Sequence, residues 1–166
     1  MAEHYLDDSE VHAFWDNSFP ARVEIDSGDT VVFECRDALD GQVQPDSGNE
    51  ALENVDFGRV HPLTGPVFVK GVQPGDTLEV EILKLEHKGW GWNGFLPGFG
   101  LLADDFNYAY VQHWRLEGES CFFRDSDRVE LPYEPFCGVM GVAPAEEGRM
   151  PTIPPRFNAG NIDIRD

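Results

Sequence analysis

Apolar residues in this chain come in short runs with a period near two, broken every few residues by glycine, proline or aspartate. Val23-Glu24-Ile25 and the run Gly28 to Cys35 read as two strand segments joined at Asp26-Ser27-Gly28. Pro66 to Val72 predicts a short strand. Pro74-Gly75-Asp76 predicts a turn, because proline presets φ and glycine takes the positive-φ place. Thr77 to Leu85 follows with a regular alternation, Leu78, Val80 and Ile82 on one face and Glu79 and Glu81 on the other. Tyr108 to Leu116, Cys121 to Arg124, Arg128 to Leu131 and Phe136 to Val142 predict further strands. Helical signals are confined to Ser9–Trp15, with Ser9 as N-cap, and Asn49–Asn54. The expectation is an all-β sandwich or barrel with few short helices, as one domain over residues 1–166 with no repeat or linker.

Two stretches break the pattern. Residues 89–105, GWGWNGFLPGFGLLADD, read as an aromatic, glycine-rich loop. Trp90, Trp92, Phe95 and Phe99 there would wall an apolar pocket or form an oligomer contact. Ahead of Pro66, His61-Pro62-Leu63-Thr64-Gly65 places polar and turn residues where a strand would place apolar ones. Asn161 and Asp163 share a face of a strand that would begin near the end of the sequence.

Charge alters this picture most. The 166 residues carry 31 Asp and Glu against 12 Lys and Arg, a formal net charge of -19. Such a surface repels nucleic acid and anionic membrane, so both partner classes are excluded. Self-repulsion on this scale is screened in molar salt, where the Debye length is ~3 Å, so the composition predicts a salt-rich, halophilic cytoplasm. The stretch MAEHYLDDSEVH is acidic and lacks an apolar signal core, which predicts no export, and no run reaches the ~20 apolar residues of a membrane span. Cys35, Cys121 and Cys137 form no CxxC pair and sit in apolar company, so they read as buried thiols in a reducing compartment rather than zinc ligands.

Six segments taken in order, HYLDDSEVHAFWD, VVFECRDALDGQV, HPLTGPVFVKGVQPGDTLEVEIL, GWGWNGFLPGFGLLADDF, PFCGVMGVAP and PPRFNAGNIDI, resemble the acetamidase/formamidase family. The resemblance covers nearly the whole chain. It implies a β-rich fold and hydrolysis of short amides such as formamide and acetamide to a carboxylate and ammonia. Members of that family are longer, and their second half carries an acidic, histidine-rich segment with no counterpart here. The sequence therefore resembles the family's N-terminal half. That implies a need for a partner, either a second chain carrying the C-terminal half or a homo-oligomer that completes the site.

Amide hydrolysis needs an activated water, a group that stabilises the oxyanion and a proton for departing ammonia. A bound divalent metal supplies the first two, and nitrogen and oxygen ligands suit zinc. Calcium is the alternative on so acidic a surface. His61 is the leading candidate, held extended by Pro62 and flanked by the uncrowded backbone of Thr64 and Gly65. Glu34 and Asp37 leave the end of a strand, and the family-like ECRDA segment favours Asp37. The resemblance adds Asn161 and Asp163. The expected metal and catalytic set is thus Asp37, His61 and Asp163, with Thr64, Gly65 and Asn161 at the substrate and Arg156 as a carboxylate holder. The competing readings are a histidine that only caps its strand, carboxylates that are only solvated, and a β-module that kept the fold without the chemistry. His4 and His12 carry a weaker signal, and His87 and His113 read as exposed or structural.

Overall fold

The computed structural model describes residues 1–152. Asn161, Asp163 and Arg156 lie outside the described residues. Among the described residues strands and loops make up nearly all of the structure, as the alternation predicts, and the helical content is limited to single 3-10 turns at Asn49–Leu52 and Phe57–Arg59. Contacts divide the chain into two units. The first comprises Met1–Gly41, Phe57–Glu81 and the chain from Cys137, the second Gln42–Asp56 and Ile82–Phe136.

The first unit is built from paired short strands. These are β1 (Glu3–Leu6), β2 (Val11–His12), β3 (Phe14–Trp15), β4 (Val23–Ile25), β5 (Thr30–Phe33), β6 (Leu63–Thr64), β7 (Val67–Val69) and, late in the chain, β12 (Met150–Pro151). β1 runs parallel to β5, and β4 runs parallel to β7. β2 pairs antiparallel with β6, and β3 with β12. Backbone bonds continue these ladders past the strand ends, from Arg22 N–H to the Pro66 carbonyl (2.9 Å) and from Glu34 N–H to the Leu6 carbonyl (2.8 Å). Leu6, Trp15, Leu39 and Val60 are buried here, and the buried Thr152 hydroxyl donates to the Val60 carbonyl.

The second unit holds an antiparallel four-stranded sheet in the order β11-β10-β9-β8. Its strands are β8 (Trp90–Phe95), β9 (Tyr110–Glu117), β10 (Ser120–Phe123) and β11 (Ser126–Pro132). Gly118, at φ 59°, makes the tight turn between β9 and β10. The 3-10 turn at Asn49–Leu52 packs on β9, where the Asn49 side-chain oxygen accepts the Val111 N–H (3.0 Å). Val43, Leu52 and Val111 are buried in this unit.

Several expectations are corrected. Ser9–Trp15 is not a helix. The Ser9 N–H and hydroxyl both go to the Asp7 carboxylate instead of capping a following turn, and the backbone beyond is satisfied in β2 and β3 by distant strands. The Asn49–Asn54 signal shortens to one 3-10 turn. Residues 90–95 of the expected loop are strand, because every residue from Trp90 to Phe95 finds a partner on β9. Thr77–Leu85 forms no strand, and Phe136–Val142 keeps only an isolated bridge residue at Val139. Cys35 is exposed, and Cys121 and Cys137 are only half-buried, so the thiols are not core residues. β1 was not signalled by the sequence. Among the described residues no helix is long and apolar enough to cross a membrane.

Candidate functional site

The segment that interrupts the strand pattern is built around an unusual backbone. His61 takes φ 55°, in the left-handed region that only a few per cent of non-glycine residues occupy. Gly65 follows at φ 143°, with a cis Gly65–Pro66 peptide after it. Between them Leu63 and Thr64 pair with His12 and Val11 in the β2–β6 ladder. The histidine is thus presented by a bend clamped by sheet pairing on its C-terminal side.

A second loop runs from the end of β5 through Gly41, and side chains shape it from within. The Asp37 carboxylate oxygen Oδ1 accepts the N–H groups of Leu39 (3.1 Å) and Gly41 (2.8 Å). Asp40 and Gly41 then take φ 55° and 73°. Asp40 is the charged hinge of this loop. It accepts from Arg36 Nη1 at Oδ1 (2.7 Å) and from Arg59 Nε at Oδ2 (2.8 Å), and its carboxylate is 8% exposed. Burial pushes its carboxyl up, but the hydrogen bonds from Arg36 and Arg59 outweigh that and hold it below the ordinary carboxylate range.

Two bonds tie the loops together. His61 N–H donates to the Ala38 carbonyl at 2.7 Å, and the Thr64 hydroxyl donates to the Glu34 carbonyl at 2.6 Å. The structure therefore brings His61, Thr64 and Gly65 onto one segment joined to the loop that carries Asp37. Beside this junction His12, Phe14, Asp40, Arg59 and Pro62 line an open groove of about 280 Å³. His12 Nδ1 lies 2.8 Å from the Phe14 carbonyl, and burial pushes its imidazole below the usual histidine range.

The donor types fit a divalent cation. An imidazole and a carboxylate sit on bonded loops, and one oxygen of that carboxylate is already fixed by two backbone N–H groups, the kind of outer support that orients a metal ligand. Among the described residues no group of three or more His, Cys, Asp or Glu is arranged to hold a metal ion. The expected third donor, Asp163, lies outside the described residues, as do Asn161 and Arg156.

Sequence reasoning missed Asp40, Arg36 and Arg59. Their signals were present: an arginine and an aspartate four apart in RDALD, and an Asp-Gly pair that favours consecutive left-handed residues. The other histidines serve the fold. His4 Nε2 lies 3.1 Å from the Asp29 carboxylate, and His113 is buried in the second unit with its Nε2 2.8 Å from the Ser47 carbonyl. The aromatic stretch is also structural in part, with Phe95 packed against Phe106, Tyr108 and Tyr110, while Phe99 is exposed.

The model of the acetamidase/formamidase family matches residues 2–151. A formamidase-like protein of Schizosaccharomyces pombe is 36% identical over 143 residues, which are 82% of this chain and 35% of that protein. An acetamidase of Mycolicibacterium smegmatis is 30% identical over 149 residues, 82% of this chain and 37% of that protein. The crystal structure of an acetamidase from Bacillus halodurans superposes with a TM-score of 0.84 at 32% identity, covering 96% of this chain and 52% of that one. The chain spans little more than a third of the length of these sequence relatives and about half of the solved acetamidase.

Proposed function

This chain belongs to the acetamidase/formamidase family, and we propose from that premise that it contributes the N-terminal part of a site that hydrolyses small linear amides. The reaction adds water across the C–N bond of a formamide- or acetamide-type substrate and yields a carboxylate and ammonia. The chain acts with a second polypeptide that carries the remainder of the family's fold, or with further copies of itself. Its strongly acidic surface suits a salt-rich cytoplasm.

The observation that carries this reading is the junction of two loops, where His61 in a left-handed bend is bonded to the loop that Asp37 shapes. Asp37, His61 and Asp163 would hold a divalent ion, zinc by their ligand types, with calcium as the oxygen-preferring alternative. When bound, such an ion lowers the pKa of a water and polarises a carbonyl. The chain's own residues do the positioning. Thr64 spends its hydroxyl proton on the Glu34 carbonyl, so toward a substrate its oxygen acts as an acceptor, suited to an amide N–H. Gly65 lets the backbone pass close to that point without a side chain in the way. Asn161 would present an amide to the substrate, and Asp163 a carboxylate to the ion or its water.

The test is ammonia release from formamide and acetamide in molar KCl, with and without zinc, by the chain combined with a complementing C-terminal half. The expected result is zinc-dependent release that falls at least a hundredfold in His61→Ala, along with the zinc content measured by elemental analysis. No release from any complemented preparation, with His61→Ala changing only stability, would instead identify a β-module without chemistry.

A further inference from the structure

The groove beside the two loops contains a histidine with no part in the junction itself. His12 stands on β2, and its Nδ1 lies 2.8 Å from the Phe14 carbonyl. A carbonyl only accepts, so Nδ1 carries the ring proton and Nε2 is left as a bare acceptor. Among the described residues Nε2 has no hydrogen-bond partner. The half-buried ring is fixed by the Nδ1 bond and by Phe19, whose ring centroid is 5.0 Å away. Burial keeps the imidazole neutral against the field of Asp16, so Nε2 keeps its lone pair at neutral pH. Arg59 lines the same groove with the opposite capability. Its Nε and Nη2 are spent on Asp40, and among the described residues Nη1 makes no hydrogen bond. Arg36 ties the two sides of the groove, donating from Nη2 to the Asp8 carbonyl ahead of β2 and from Nη1 to Asp40. The remaining lining is largely apolar, with Val11, Phe14 and Pro62.

We propose that this groove binds a small neutral amide, with His12 Nε2 accepting its N–H and Arg59 Nη1 donating to its carbonyl oxygen. A primary amide presents a donor and an acceptor side by side, whereas a carboxylate presents acceptors only. The bare Nε2 therefore favours the amide and opposes the carboxylate that hydrolysis leaves. Asp40 offsets the guanidinium charge, so Arg59 draws a carboxylate only weakly. The groove position is separate from that of Thr64. In the β2–β6 ladder His12 pairs with Leu63 and Val11 with Thr64, so His12 and Thr64 take opposite faces. The ligand class follows from the groove's own donor and acceptor. That the bound amide supplies the neighbouring junction rests on the amidase reading.

The test is titration of the full chain in molar KCl with acetamide, N,N-dimethylacetamide and acetate, followed on the His12 ring nitrogens by long-range proton–nitrogen NMR. Acetamide is expected to shift the Nε2 resonance saturably and to leave Nδ1 nearly still. Dimethylacetamide keeps the carbonyl but has no N–H, and acetate has no donor, so each should bind about tenfold more weakly. His12→Leu removes the acceptor and should weaken acetamide about tenfold, read from the Phe14 amide resonance. His12→Gln restores an acceptor oxygen near the place of Nε2 and should stay within about threefold of the unaltered chain. An Nε2 resonance unmoved by acetamide, or moved equally by dimethylacetamide, overturns the proposal. Equal weakening in the leucine and glutamine variants overturns it as well, since the ring is then only structural. Saturable acetamide binding together with no ammonia from any complemented preparation keeps the groove and sinks the amidase reading. Ammonia release with a still Nε2 resonance does the reverse.

Discussion

His61 and Asp40 both hold φ 55°, and their side chains give different reasons for tolerating it. Asp40 is repaid by two arginines, so Asp40→Ala removes charge-assisted bonds from a buried carboxylate. The expected cost is about 2–3 kcal/mol, read from the urea midpoint. His61→Gly relieves a left-handed backbone that His61→Ala keeps, so the glycine variant should be the more stable by about 1 kcal/mol while both lose the imidazole. A lower melting temperature for His61→Gly than for His61→Ala would show that the bend is not strained. Acid acts at two other aspartates. The Ser9 hydroxyl and Arg22 hold Asp7 at about 2, and the Ala2 N–H and His4 hold Asp29 at about 2. A carboxyl lowered in the folded state stabilises it above its ordinary pKa near 4, and that contribution fades as pH falls toward 2. Carboxyl NMR titration should therefore give midpoints near 2 for both, and loosening of β1 in that window; midpoints near 4 would contradict the geometry.

Among the elements, β8 depends on one small residue. A Cβ on Gly94 would collide with the Tyr110 carbonyl oxygen and with Leu52 Cδ1, so Gly94→Ala should cost about 1–3 kcal/mol and expose β8 amides to exchange. The strands the sequence announced, Val23–Ile25 and the runs later found as β5, β7, β9, β10 and β11, combine β-branched or aromatic residues with nearby turn signals, and that local chemistry made them legible. β1 and the pair β2 and β3 were not legible, because their partners lie far off in sequence and nothing local reports a parallel or distant ladder. Thr77–Leu85 shows the opposite failure, since an alternating pattern records a capacity to pair and not the presence of a neighbour. At the candidate site the interruption His61-Pro62 and Gly65-Pro66 stood out as turn residues ahead of a strand, although Leu63–Thr64 between them forms β6. The arginine pair on Asp40 did not stand out, because arginine and aspartate in so charged a chain look like ordinary surface.

For the molecule as a whole, charge sets the conditions of its stability. With a formal net charge of -19, the melting temperature should rise steeply as KCl increases from dilute to molar concentration, because the Debye length shrinks from ~10 Å at 0.1 M to ~3 Å at 1 M. A melting temperature that is flat across that range would show that self-repulsion is not what limits the fold. The pairing of β3 with β12 carries a consequence for biosynthesis. Phe14 and Trp15 leave the ribosome long before their ladder partners Met150 and Pro151. At about 5–20 residues per second, the early strand waits on the order of ten seconds for its mate. The hairpins of β8 to β11, whose partners are close in sequence, can form during that delay, so translation itself assembles the middle of the chain before its beginning.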